Sequence, residues 1–188
     1  MELFPTFLRL NGRPVLVVGG GPVAASKLTA LCAAGAAVTV VAPEVCSTIA
    51  DAGVTVKHRG FEDADLDGVW FVVAAATPEV NARVARAAEP RQLFVNAVDD
   101  PPNASAYLGG VIRRDGVTVA ISTDGHAPAL AGLLREGFDA LLPADLGRWM
   151  ETARSIRMQW KAHGTPMAAR RPELLEKLVE LYGAEARR

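Results

Sequence analysis

The sequence predicts an α/β protein: a doubly wound parallel sheet, then a small hairpin-plus-helix region and a C-terminal helical region. Three observations carry this. Short apolar runs alternate with helical patterns over the first hundred residues, the order that builds parallel sheets. The first run, Pro14-Val15-Leu16-Val17-Val18, passes straight into Gly19-Gly20-Gly21-Pro22-Val23-Ala24, a strand, a glycine turn and a helix start. Beyond residue 108 the pattern changes to a hairpin signature followed by helices, so the strands there become antiparallel.

The glycine turn has the G-x-G-x-x-A spacing of a Rossmann-type dinucleotide-binding unit. Gly19 permits the tight turn. Gly21 removes a side chain where a pyrophosphate must come close to the backbone, and Ala24 lets the helix pack closely on the strand. The helix N-terminus then offers unpaired N–H groups and a positive dipole end to the phosphates. Residues 24–34 are rich in Ala, Leu and Lys and suit a helix, Gly35 is placed to stop it, and residues 37–42 read as a second buried strand. The competing reading is a glycine turn that binds no nucleotide. The acid that usually ends the second strand and meets the ribose is missing. Glu44 comes just after, and either reaches the ribose or sits in the first turn of the next helix, where an acid is favoured. No Arg follows the strand directly, which favours NAD over NADP.

Residues 54–57 and 69–74 are the third and fourth strands, 79–89 carries a helical pattern, and 93–98 is the fifth strand. Asp99-Asp100-Pro101-Pro102 then breaks the chain. Residues 110–114 and 116–121 flank an Asp115-Gly116 turn, a hairpin. Helices are expected over 128–142, 145–162 and 172–182, the last opening at Pro172 after Arg170-Arg171 breaks the chain, with a frayed tail over 185–188. The chain thus divides into a dinucleotide-binding domain over 1–108, a dimerisation region over 109–143 and a C-terminal helical region over 144–188. A hairpin and three helices are too thin to build a core alone. They are expected to bury their apolar faces in a homodimer through 109–143; the alternative is that they cover one sheet edge of a monomer.

Composition excludes several classes. With 188 residues, half of them hydrophobic, and a net charge of −1, the chain has a real core and gives no reason to expect nucleic acid or an anionic membrane as partner. Its start lacks a basic n-region, and no apolar run is long enough to span a bilayer. Cys32 and Cys46 have neither metal spacing nor a disulfide framework, which fits a reducing cytoplasm. His58, His126 and His163 are scattered, with no metal-ligand spacing.

In an open α/β sheet the ligand lies at the carboxyl ends of the strands. Three loops meet that condition: the glycine turn, Ala75-Ala76-Thr77, and Asn96-Ala97-Val98-Asp99. Asp99 is either a chemical group on the cofactor side or the start of a turn before Pro101. The segment 122–128 precedes a helix N-terminus and either holds an anionic group or is an ordinary N-cap. His126 on its own reads as a surface residue. Arg154, Arg157, Lys161, Arg170 and Arg171 form either a solvated helix face or a surface for a substrate rich in carboxylates.

The chain resembles the precorrin-2 dehydrogenase/sirohydrochlorin ferrochelatase family, the dehydrogenase module of siroheme synthase. The resemblance rests on Phe4-Pro5-x-Phe7, on Val17-Val18-Gly19-Gly20-Gly21-x-Val23-Ala24-x-x-Lys27, on Ala36-x-Val38-Thr39-Val40-x-Ala42-Pro43 and on Phe94-x-Asn96-x-Val98-Asp99. It continues through Ala104-Ser105, Ile121-Ser122-Thr123-x-Gly125-x-x-Pro128 and Leu133-Leu134-Arg135-Glu136, from residue 3 to about 160. It implies NAD-dependent oxidation of precorrin-2, a tetrapyrrole, to sirohydrochlorin by a cytoplasmic homodimer. Asp99 would be catalytic, accepting a proton or orienting the macrocycle.

The cofactor residues would be Gly19, Gly21, Pro22, Val23, Ala24, Glu44, Thr77 and Val98, and the substrate residues Asn96, Ser122, Thr123, Asp124 and His126. Members differ in whether they also insert Fe2+, which here would be a substrate metal, with Asp99 and His126 as its candidate partners. Larger relatives carry a methyltransferase domain downstream, so methylation is expected of another protein. Three features depart from the family. The segment after the fourth strand looks one residue short and lacks acids, which puts the Thr77 contact in question. Asp124 and His126 stand where small or variable residues are usual, and Ala127 where Ser is common. The rival of another class is a non-catalytic NAD- or tetrapyrrole-sensing module.

Overall fold

The computed structural model describes residues 3–185; Met1, Glu2 and residues 186–188 of the expected frayed tail lie outside them. The chain divides by its contacts into two units. The first runs to Leu108 and also takes in Asp124–His126; the second comprises Gly109–Thr123 and the residues from Ala127 on.

The first unit is the expected doubly wound sheet. Strands β1 (Pro14–Val18), β2 (Ala37–Val41), β3 (Thr55–Lys57), β4 (Phe71–Ala74) and β5 (Phe94–Ala97) pair in parallel in the order β3-β2-β1-β4-β5. Strand side chains alternate between two layers, because their period is two. Val15, Val17, Val38, Val40, Phe71 and Val73 pack with Ala24, Ala25, Leu28 and Leu31 of helix α1 (Pro22–Ala33) and with Ile49 of the short α2 (Ser47–Ala50). Leu16, Val18, Val41, Val72, Ala74, Val95 and Ala97 face the other way, against Val84, Ala87 and Ala88 of α3 (Pro78–Ala88). Both faces of the sheet are covered, so β1 and β4 read as unbroken apolar runs. Both α1 and α3 begin with a proline in the first turn, where its missing N–H costs nothing.

The outer edge of β5 is closed by residues 104–106. The Ser105 and Ala106 N–H groups both donate to the Val95 carbonyl (2.9 and 3.0 Å), and the Val95 N–H donates to Ser105 Oγ (2.8 Å). At the far side, a buried carboxylate ties the end of β3 to a 3-10 turn at Asp63–Leu66. Asp65, its side chain 1% exposed, accepts from Arg59 through both oxygens (2.6 and 2.8 Å), from Lys57 Nζ (2.8 Å) and from the Glu62 N–H (3.0 Å).

The second unit holds the hairpin and three helices. Strands β6 (Gly110–Arg114) and β7 (Val117–Ile121) pair antiparallel, with Asp115 and Gly116 as the two-residue turn, both left-handed, as a type I′ turn requires. Helix α4 (Pro128–Leu141) packs on the hairpin. Arg114 reaches across to Asp139 (2.6 Å) and to the carbonyls of Asp139 and Leu142 (3.1 and 3.2 Å). Among the described residues, the only apolar side chains fully buried in this unit are Ile112, Ala131, Leu146 and Ile156, a core as thin as the sequence implies. Helix α5 (Leu146–His163) ends at Gly164 in the left-handed conformation.

One expectation fails here. Helix α6 runs over Met167–Glu185 and passes through Pro172, which was expected to open it. Pro172 lacks the N–H that would reach residue 168 and should break the helix. The chain on both sides is held by other bonds: Arg170 Nε donates to the Thr165 carbonyl (3.0 Å) and Trp160 Nε1 of α5 donates to Glu173 Oε2 (2.7 Å). Packing on α5 outweighs one lost hydrogen bond. No helix among the described residues is long and apolar enough to cross a membrane.

Candidate active site at the carboxyl ends of the strands

The ends of β1, β2, β4 and β5 converge on the glycine turn through backbone hydrogen bonds. The Gly19 N–H donates to the Val41 carbonyl (3.0 Å), the Cys46 N–H to the Gly20 carbonyl (2.8 Å), the Ala75 N–H to the Val18 carbonyl (2.8 Å) and the Val98 N–H to the Ala74 carbonyl (2.9 Å). Three loops that the sequence singles out are thus one continuous edge. Gly19 has φ +126°, and a Cβ there would run into the Ala75 carbonyl oxygen, so both the turn and the neighbouring loop demand glycine.

Gly21 differs. Its φ of −84° is open to any residue, and a Cβ built on it would meet nothing within 4 Å. Among the described residues no packing accounts for glycine there. Gly21 is the N-cap of α1, whose start has no side-chain cap and no acid in its first turn. Pro22, Val23 and Ala24 follow, and the N–H groups of Val23 and Ala24 belong to the first turn, where no intrahelical acceptor exists. A bare helix start behind an open glycine fits a dinucleotide pyrophosphate in both charge and space.

Glu44 needs a correction. It does not lie in the first turn of a helix: α2 begins at Ser47 and has no acid in that turn. Glu44 sits exposed in the bend between β2 and α2, held beside the turn by the Cys46–Gly20 bond, so the helix-start alternative falls away. Thr77 is the N-cap residue of α3. The Glu79 carboxyl is held below the usual carboxylate range, first by its own backbone N–H and then by the Thr77 hydroxyl.

Asn96 is buried on β5, 6% exposed. Its Nδ2 donates to the Ala106 carbonyl (3.0 Å) and its Oδ1 has no partner. Val98 is half-buried against the α1 layer. Asp99, immediately after, is exposed and left-handed with φ +55°, a conformation that costs about 1 kcal/mol in a residue other than glycine. Asn103 Nδ2 donates to both carboxylate oxygens of Asp100 (3.0 and 2.9 Å).

Of the expected substrate segment, Asp124–His126 groups with the first unit. Gly125 lies against Tyr107 and Pro101, and Asp124 and His126 are exposed. Ser122 and Thr123 belong to the second unit, where the Ala127 N–H donates to Thr123 Oγ1 (3.2 Å) at the start of α4. The N-cap of α4 is Ala127, with no side-chain cap hydrogen bond, so the Thr123 contact braces the segment before the helix and does not cap it. Among the described residues no three His, Cys, Asp or Glu side chains could hold a metal ion together, so Asp99 and His126 gain no third ligand.

Two residues that shape the site escaped the sequence reading. Asn81, 2% exposed on α3, accepts the Ala76 N–H through Oδ1 (3.0 Å) and pins the loop after β4. Its signal was a polar residue on the inward face of an apolar helix. Tyr107 is the other; nothing local distinguishes it from a surface tyrosine.

Comparison with known proteins adds the following. Residues 6–110 match the family described as "Putative NAD(P)-binding". Siroheme synthase 1 of Cronobacter sakazakii is 45% identical over 162 residues, 84% of this chain and 34% of that protein. Siroheme synthase 3 of Aeromonas hydrophila is 44% identical over 176 residues, 91% and 38% respectively. The chain spans about a third of the length of these relatives. The solved structure of SirC, a precorrin-2 dehydrogenase, superposes with a TM-score of 0.71 at 27% identity, covering 93% of this chain and 88% of that one.

Proposed function

Because this chain belongs to the NAD(P)-binding family that residues 6–110 match, we propose that it oxidises precorrin-2 to sirohydrochlorin with NAD. The observation that carries this reading is the likeness to a precorrin-2 dehydrogenase of similar length, joined to an open glycine at the bare start of α1. The high identity to siroheme synthases supports it.

When bound, NAD supplies the hydride acceptor. Gly19 and Gly21 shape the turn that receives its pyrophosphate, with Val23 and Ala24 offering N–H groups. Glu44 accepts from the ribose, and the sequence's lack of an Arg directly after β2 favours NAD over NADP. Precorrin-2 loses a hydride and a proton; Asp99 takes the proton, and its exposure lets it return that proton to water. Gly125 and its neighbours Asp124 and His126 meet the macrocycle. The protein works in the cytoplasm as a homodimer. Its contact is the α4 face of Leu130, Leu133, Leu134, Phe138 and Leu141, all exposed and apolar, while Ala131, Arg135 and Asp139 turn toward the hairpin.

The test is an anaerobic assay with enzymatically generated precorrin-2, following sirohydrochlorin absorbance with and without NAD and then adding Fe2+. Product that requires NAD supports the dehydrogenase. A response to iron adds metal insertion, and NADH binding with no product at all favours a sensing module instead.

A further inference from the structure

Asp124 (φ +54°) and Gly125 (φ +77°) are consecutive left-handed residues, the same Asp-Gly turn chemistry as at Asp115-Gly116. What lies against it is Tyr107. A Cβ on Gly125 would sit 2.9 Å from Tyr107 Cε1, 3.3 Å from its Cδ1 and 3.5 Å from Pro101 Cγ. The glycine backbone therefore rests directly on the tyrosine ring, with no room for a side chain between them. Tyr107 is half-buried. Its hydroxyl reaches the Pro101 carbonyl only at 3.4 Å, too long to carry much energy, so the ring rather than the hydroxyl makes the contact. Pro101 follows Asp99 by two residues, so the ring bridges the segment after Asp99 and Asp124–His126.

We propose that Tyr107 is a positioning residue: its ring, packed on Gly125 and Pro101, holds Asp124–His126 beside the Asp99 loop so that both meet the substrate together. This rests on the function proposed above. The contacts of Tyr107 are with Gly125 and Pro101, and its removal should leave NAD affinity unchanged. An aromatic ring in that place is the requirement, and the hydroxyl is dispensable.

The experiment compares Tyr107→Ala, Tyr107→Phe and Gly125→Ala with the wild-type chain. In Tyr107→Ala the KM for precorrin-2 should rise about tenfold with kcat within about twofold and NAD affinity unchanged. Tyr107→Phe should match wild type, and Gly125→Ala should follow Tyr107→Ala, its Cβ displacing the ring and its left-handed backbone adding strain. Without any substrate, amide hydrogen exchange at Asp124–His126 should accelerate in Tyr107→Ala while the strands of the sheet keep their protection. Unchanged exchange there overturns the contact's role whatever the chain oxidises. Faster exchange with unchanged KM overturns the link to substrate. A wild-type chain that turns over no precorrin-2 defeats the function and the substrate clause with it, and the exchange measurement alone then decides whether the ring holds the loop.

Discussion

Asn81 Oδ1 accepts the Ala76 N–H at 3.0 Å from inside the protein, where Asn81 is 2% exposed. A side chain on α3 thereby sets the loop after β4, whose Ala75 carbonyl in turn lies against Gly19. Asn81→Ala should cost about 1–3 kcal/mol, because it leaves a loop N–H unpaired. It should also weaken NAD several-fold through the displaced loop. Urea unfolding and a tryptophan-fluorescence titration measure the two effects, and a destabilised variant with unchanged NAD affinity would separate the loop from the cofactor site.

The two outer glycines of the turn should fail differently. Gly19→Ala collides with backbone at Ala75 and forces a left-handed alanine, so it should lose stability. Gly21→Asp meets open space, so it should fold normally and lose NAD through crowding and charge repulsion. Thermal melts and NAD titrations of both variants check this, and a Gly21→Asp protein that still binds NAD at wild-type affinity would remove the cofactor from this turn.

Asp99→Asn should fold, bind NAD as before and lose kcat by about 100-fold, the lower range for a missing proton acceptor. Asn tolerates the left-handed backbone, so the change tests the charge alone. Full turnover in the variant would return Asp99 to the role of a turn residue.

Asp65 gives the fold a pH dependence. Its carboxyl is held well below the usual carboxylate range, chiefly by the Arg59 guanidinium and then by Lys57 and the Glu62 N–H, against the opposing effect of burial. A group whose pKa falls on folding contributes stability above its unfolded pKa of about 4 and loses it as pH drops through the folded value. Because Lys57 and Arg59 are partly exposed, the contribution is discounted to about 1–3 kcal/mol. Asp65→Asn should therefore be less stable than wild type at pH 7, with the gap narrowing below about pH 4. Urea unfolding at both pH values decides it; a gap constant with pH would rule out the ion pairs as its source.

The exposed α4 face predicts association. Leu133 is 65% and Leu141 79% exposed, and a contiguous apolar stripe of this kind marks an interaction site. Leu133→Glu should convert a wild-type dimer into a monomer with unchanged helix content, by size-exclusion light scattering and circular dichroism. A monomeric wild-type chain would assign this face another occupant.

The sequence by itself determined the architecture. Alternating apolar strands and helices, the glycine turn and Asp115-Gly116 are local signals, and each is realised where the pattern placed it, because strand period, turn chemistry and proline position act over a few residues. Local reading failed where distant residues compete. Pro172 should start a helix by its own chemistry, yet bonds from Arg170 to the Thr165 carbonyl and from Trp160 to Glu173 carry α6 through it. Glu44 looked equally suited to a helix start, until the Cys46–Gly20 bond placed it in the bend beside the glycine turn. Asn81 and Tyr107 act only on segments that folding brings to them, Ala76 and Gly125. That a buried amide caps a loop, or that a ring has no gap beside it, is a property of packing, and packing exists only once the tertiary structure has formed.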